Sequence, residues 1–260
     1  MMKCDYHIHS TFSDGQLSVC EIVSESKKLG LESIAITDHY DPYDFSLVNR
    51  EVGEDDLLRH LDDIRREGIR QGLEVFAGIE AGSDMQGNMR ISDRILDECD
   101  IVICSPHYVD MEKTDHDAFD PEYWDRYKTL LLAQALNDSD IAGHPEGYLP
   151  APGLEGTAFS ERQIIRAQIA EKFLTEDFYQ EYGKRLAKAG KAFEIHGASG
   201  TPRKWVIELL SSLGVVFSIG SDAHDPVFLG KNQRGWQLAD EMKIETIHPL
   251  GKRRFQICRE

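Results

Sequence analysis

The segment Asp5-Tyr6-His7-Ile8-His9-Ser10-Thr11-Phe12-Ser13-Asp14 places two histidines two residues apart, with a carboxylate on either side. In an extended chain that spacing puts both imidazoles on one face. Imidazole nitrogen and carboxylate oxygen, with no thiolate among them, suit Zn, Mn or Fe. The same residue types recur downstream as Asp38-His39, Glu80, His107, His144, Glu194 with His196, and Asp222 with His224. Each has an ordinary explanation when taken alone: a hydrogen-bonded strand-end histidine, a helix cap at Asp38 or Asp222, a buried ion-pair partner at Glu80. Their common property is their position relative to the elements that the rest of the sequence predicts.

Those elements alternate. A first strand is predicted from Cys4 to Ile8. Ser18 then opens a helix, with Glu21 three residues on as a capping box and Val19, Ile22, Val23 and Leu29 at helical spacing. Further strands fall at Ser33–Thr37, Val75–Ile79, Ile101–Ser105, Asp140–Gly143, Ala192–His196 and Val215–Ile219. Helical patterns separate them, among them 123–136, 163–170, 177–189 and the run that begins at Thr201-Pro202. About seven strands alternating with helices predict an α/β fold with a parallel sheet, as a closed barrel or an open doubly wound sheet. No Gly-x-Gly-x-x-Gly follows the first strand, which weighs against dinucleotide binding. The final stretch, Glu241 to Glu260, reads as a small extra strand or a tail. In barrels of this class the site forms at the C-terminal strand ends, and every predicted strand end carries a histidine or a carboxylate. One accident does not explain seven positions, so the constellation is read as a metal site.

Composition narrows the chemistry. The 260 residues suffice for one domain, expected to span 1–260, and their formal net charge is -17. That acidity argues against long nucleic acids as partners, which call for a basic surface. A small anion is still accommodated, because bound cations reverse the local field. No apolar run reaches membrane-spanning length, and no apolar signal region precedes Asp5. The five cysteines, Cys4, Cys20, Cys99, Cys104 and Cys258, are scattered without a C-x-x-C pair. The expectation is a cytoplasmic protein with reduced thiols. His60, His116 and His248 fall off the strand ends and are expected to be solvated surface residues.

The ordered motifs resemble a known family. Asp5-x-His7-x-His9-Ser10, Ser13-Asp14-Gly15, Thr37-Asp38-His39, Gly78-x-Glu80, Ser105-x-His107, Gly143-His144-Pro145 and Gly220-Ser221-Asp222-Ala223-His224 resemble the PHP family, named for polymerase and histidinol phosphatase. The resemblance implies a distorted seven-stranded (β/α)7 TIM-like barrel holding two or three divalent metal ions. It implies His7, His9, Glu80 and Asp222 as one metal's ligands. Glu80 would bridge to a second metal at His107 and His144, and Asp14, His39 and His224 would hold a third. Asp5 is expected to orient an imidazole.

The implied activity is hydrolysis of a phosphomonoester, histidinol phosphate or a similar small metabolite, with a nucleotide phosphoesterase or exonuclease as the alternative. Divalent ions at such a site lower the pKa of a bound water towards about 7 and offset charge on the phosphoryl oxygens. An amidohydrolase shares the His-x-His pattern but typically bridges its metals with a modified lysine, where this sequence has Glu80. Arg203, next to Lys204 after the sixth strand, is a candidate for bidentate phosphate contact, although a surface pair at a helix start explains both equally. Lys231 and Arg234 are further substrate-binding candidates. His196 is a candidate proton donor to the leaving group, and Asp222 is placed with His196 and Arg203 in the catalytic set.

Overall fold

A computed structural model of the chain describes residues 2–41, 51–111 and 116–259. Its strands are β1 (Cys4–Asp5), β2 (Ser33–His39), β3 (Glu74–Ala81), β4 (Ile101–Cys104), β5 (Ile141–Ala142), β6 (Ala192–His196), β7 (Phe217–Gly220), β8 (Thr246–Gly251) and β9 (Arg254–Cys258). They form one sheet in sequence order, parallel through β8, with β8 and β9 as an antiparallel hairpin. The helices are α1 (Val19–Lys28), α2 (Glu54–Gln71), α3 (Asp93–Leu96), α4 (Pro121–Gln134), α5 (Phe159–Phe173), α6 (Glu176–Ala189), α7 (Lys204–Ser212) and α8 (Gln233–Met242). None of the described helices is long and apolar enough to cross a membrane.

The sheet therefore has nine strands rather than the predicted seven. The added pair is the C-terminal hairpin, within the stretch read as a small extra strand or a tail, and its turn explains why the pairing itself was not legible. Lys252 and Arg253 both have positive φ, at 42° and 58°. A two-residue hairpin turn needs that geometry, and Asn-Gly or Asp-Gly is its usual sign. Lys-Arg conceals it. The predicted first strand is also shorter, because the chain beyond Asp5 bends out of simple pairing with β2. Tyr6 N–H donates to Ile219 O and Asp222 N–H to His7 O, while Ile8 forms a parallel bridge with Ala223. The sheet thus curls until the segment after β1 meets β7, and residues from its two ends come together.

Local rules account for the elements that carry the site. The Ser18–Glu21 capping box starts α1 as predicted, and Ile22 and Val23 turn inward. On α2, Leu57, Leu61 and Ile64 are buried, and Gly72 ends the helix at φ 67°. Alternation along the strands then sorts side chains between two layers. Ile34 and Ile36 of β2, Ala77 and Ile79 of β3 and Val102 and Cys104 of β4 join one apolar cluster with residues of α1, α2 and α3. Their strand neighbours of opposite parity include His39 and Glu80, which face each other across the β2–β3 register.

Candidate metal centre

Glu80, fully buried at the end of β3, is the hub. Its Oε2 lies 3.2 Å from His7 Nε2, 3.4 Å from His9 Nε2 and 3.0 Å from His39 Nδ1. Its Oε1 lies 3.2 Å from His107 Nε2 and 2.9 Å from His144 Nε2, and accepts from Ser105 Oγ. One carboxylate thus faces two groups of imidazoles with different oxygens. Asp222 Oδ1 adds contacts of 3.1 Å to His9 Nε2 and 3.6 Å to His7 Nε2. Asp14 Oδ1 lies 3.2 Å from His224 Nε2 and 3.6 Å from His39 Nε2.

Three overlapping donor sets with metal-binding spacing follow: His7, His9, Glu80 and Asp222; His9, Asp14, His39 and His224; and His39, Glu80 and His107. The first agrees with the expected grouping. In the second, His9 joins the expected trio. In the third, His39 joins Glu80 and His107, while His144 meets Glu80 through Nε2 but falls outside the three sets.

Hydrogen bonds fix the imidazole tautomers. A carboxylate only accepts, so His7 Nδ1–H donates to Glu194 Oε1 at 2.7 Å, which turns Nε2 towards Glu80 and Asp222. Glu194 Oε2 takes the His144 backbone N–H at 2.7 Å. His224 Nδ1–H donates to Asp222 O at 3.0 Å, freeing Nε2 on the Asp14 side. His196 Nδ1 accepts from Ser199 N–H, so its Nε2–H donates to Asp222 Oδ2 at 3.2 Å.

Sequence reasoning gave Asp5 the imidazole-orienting role, and the structure gives it to Glu194 instead. Asp5 takes Ser221 N–H, Ser221 Oγ–H and Gly230 N–H, so it anchors the loop after β7. Gly220 is what lets Glu194 approach: a Cβ there would lie 2.5 Å from both Glu194 Oε1 and His7 Cβ. His144 and Asp222 hold left-handed backbone, at φ 27° and 54°. For residues other than glycine such strain concentrates at functional sites.

The electrostatics show mutual dependence. Burial lifts the carboxyl of Glu80, but His7, His107 and His39 outweigh it and hold it well below the usual range. Asp222 behaves likewise, held low chiefly by His7 against the effect of burial. Burial pulls His107 down, but Glu80 and Asp41 raise it to about 10. His224 is raised to about 9 by Asp14 and Asp222 against burial. His9, buried beside His39 and His224, falls to about 4.

Among the described residues, His7 Nε2, both His9 nitrogens, Asp14 Oδ1, His39 Nδ1, Glu80 Oε2 and Asp222 Oδ1 are buried without a hydrogen-bond partner. Each such atom costs about 1–3 kcal/mol; other buried unpaired atoms are scattered, Ser26 Oγ and the Tyr179 hydroxyl among them, but these converge in the three donor sets. The residues therefore fit divalent cations.

The centre opens into a cleft of ≈ 240 Å³ whose walls include His107, His144, Tyr148 and Asp222. Tyr148 also lines a neighbouring cavity of ≈ 350 Å³, with Glu146, Phe159, Arg166, Ser199 and Arg203. The Arg203 guanidinium is engaged with Glu146, through Nε at 2.8 Å and Nη2 at 2.5 Å. Lys204, Lys231 and Arg234 are exposed. Lys231 sits over the Phe228 ring, and Arg234 packs against Gly200.

Sequence reasoning missed Tyr148 and Arg166. Arg166 stacks over Tyr148 and donates from Nε to Leu149 O. A readable signal was present: Arg162 and Arg166 are one helical turn apart, and Arg166 has no acid four residues to either side. The three histidines expected at the surface are instead buried, with His60 on Asp38, His116 on Asp120 and His248 on Tyr6.

Comparison with known proteins agrees with this picture. A model of the PHP domain matches residues 5–197. A probable histidinol-phosphatase of Thermotoga maritima is 28% identical over 235 residues, spanning 87% of this chain and 86% of its own length. A probable phosphatase of Caldanaerobacter subterraneus subsp. tengcongensis is 25% identical over 251 residues, 92% of this chain and 83% of its own. The fold matches the crystal structure of histidinol phosphate phosphatase from Lactococcus lactis, complexed with zinc, L-histidinol and phosphate, at a TM-score of 0.74 and 19% identity, covering 98% of each chain. The chain belongs to the PHP domain family. It is an enzyme, a metal-dependent phosphoesterase.

Proposed function

We propose that this enzyme hydrolyses a small phosphomonoester, with histidinol phosphate the first substrate to test, at a centre of two or three divalent ions. The observation that carries this is the sharing of Glu80 among donor sets beside an open cleft. The near full-length likeness to a protein named a probable histidinol-phosphatase supports the substrate. His7, His9, Glu80 and Asp222 would hold one ion. Glu80 with His107 and His144 would hold a second, to which His39 is also placed to contribute. Asp14, His39 and His224 would hold a third, with His9 beside them.

Bound divalent ions would lower the pKa of the attacking water and neutralise charge on the phosphoryl oxygens. Glu194 orients His7, and His196 holds Asp222 through its Nε2–H. His196 and Arg203 stay in the proposed catalytic set, His196 beside Asp222 and Arg203 at the wall of the second cavity. Arg166 offers guanidinium charge to the substrate, the charge of Arg203 is already paired with Glu146, and Tyr148 stands where the two cavities meet. The exposed Lys204, Lys231 and Arg234 would at most guide an anion inward.

We read the fold as a distorted seven-stranded (β/α)7 TIM-like barrel with an added C-terminal hairpin, and 1–260 as one domain. A cytoplasmic setting suits the cysteines, which form no disulfide among the described residues.

The test is phosphate release from histidinol phosphate, nucleoside monophosphates and a phosphodiester, with Zn, Mn and Fe supplied separately. Histidinol phosphate should turn over fastest. Preference for the phosphodiester or a nucleotide would move the assignment to the nucleotide-directed alternative.

A further inference from the structure

The loop from Ser10 to Asp14 carries one donor of the outer set, and its conformation is set from outside the centre. Its neighbour on β2 is Asp38. Adjacent strand residues point to opposite faces, so His39 turns into the centre while Asp38 turns to the helix side. There its buried carboxylate gathers four donors: Ser10 N–H at 2.7 Å, Ser10 Oγ–H at 2.8 Å, Ser13 Oγ–H at 2.7 Å and His60 Nε2–H at 2.7 Å. Three belong to the loop and the fourth to α2. The His60 ring also stacks on Phe12 of the same loop, with centroids 3.9 Å apart and planes within 3°. His60 therefore grips the loop twice, through Asp38 and through Phe12.

We infer that His60 is a positioning residue that acts through Asp38 and Phe12 to hold the Ser10–Asp14 loop, and with it Asp14, in register with His39 and His224. A fully buried carboxylate such as Asp38 depends on each of its hydrogen bonds. Removal of the His60 donor leaves Asp38 one bond short and frees it to recruit the serines of the loop differently. The donor and stacking roles are separable. His60→Phe keeps a ring on Phe12 and removes the donor. His60→Gln keeps an N–H at similar reach and removes the ring.

The inference rests on the metal reading above, so the experiment follows metal uptake. Chelator-stripped protein is titrated with cobalt(II) and zinc, reading visible absorption and bound ions per chain for the wild type, Asp14→Ala, His60→Phe and His60→Gln. His60→Phe should loosen the same equivalent that Asp14→Ala removes by about 10- to 100-fold, with the other binding unchanged, and His60→Gln should recover most of that affinity. Unchanged affinity in His60→Phe, or loosening of every equivalent together, overturns the inference. If His60→Phe fails to fold, Ser13→Ala removes one donor to Asp38 and should loosen the same equivalent to a smaller degree, no change counting against the inference. A wild type that takes up no ion overturns the metal reading itself.

Discussion

The inner and outer donor sets are made of the same residue types but built differently. His7, His9, Glu80 and Asp222 are all buried, whereas in the outer set His9 and His39 are buried and Asp14 and His224 only partly so. The inner donors sit on β3 or within four residues of the ends of β1 and β7, and Glu194, His196 and Gly220 determine their approach. The outer set takes Asp14 from a loop whose shape is held by Asp38. A rigid, water-excluded set is preorganised for its ion, while a loop-borne set must be ordered by its supports. The two sets should therefore differ in how much each donor is worth.

Glu80→Ala should be the most damaging change, lowering kcat/KM on the order of a thousandfold, about 4 kcal/mol of transition-state stabilisation, because both oxygens of Glu80 are used. Steady-state phosphate release checks this, and a loss under tenfold would remove Glu80 as the hub. Glu194→Gln keeps the shape but weakens the grip on the His7 tautomer. Activity should fall by about 10- to 100-fold, with looser metal binding, as read by paired kinetics and metal analysis. Asp14→Ala should cost roughly tenfold, about 1.4 kcal/mol, and one equivalent of metal. A cost equal to that of Glu80→Ala would erase the distinction between the sets.

The smallest effect concerns pH. In the metal-free protein His107 and His224 have values raised to about 10 and about 9 from the ordinary 6.5. Groups raised on folding stabilise the fold fully below their unfolded value and cease to do so as pH climbs through the folded one. Metal-free protein should therefore lose a few degrees of Tm between about pH 7 and 10, while metal uptake in that range releases protons and strengthens as pH rises. Thermal melts and proton release in weakly buffered titrations check both. A metal-free Tm that rises across the window would contradict the protonated rings.

Much of the centre was legible because strand chemistry is local. Period-two alternation put His7 and His9 on one face, and the strand–helix rhythm marked His39, Glu80, His107, His144 and Asp222 as strand-end residues. Arg203 also looked available from the sequence, because nothing near it in the chain reveals Glu146, which is 57 residues away and takes its guanidinium. The surface reading of His60 failed for the same reason. Helical spacing shows that it shares a face with Leu57, Leu61 and Ile64, but only the packing of α2 against β2 shows a carboxylate waiting there.

The sequence by itself determined which atoms could bind metal and the order in which strands would present them, since donor chemistry and backbone period are properties of short segments. Tertiary structure alone decided that Glu194 rather than Asp5 orients His7, that His144 and Asp222 adopt left-handed backbone, and that Asp38 with His60 holds the Asp14 loop. Those outcomes depend on segments far apart in the chain, brought together when the sheet curls until the segment after β1 meets β7, and no local pattern encodes that approach.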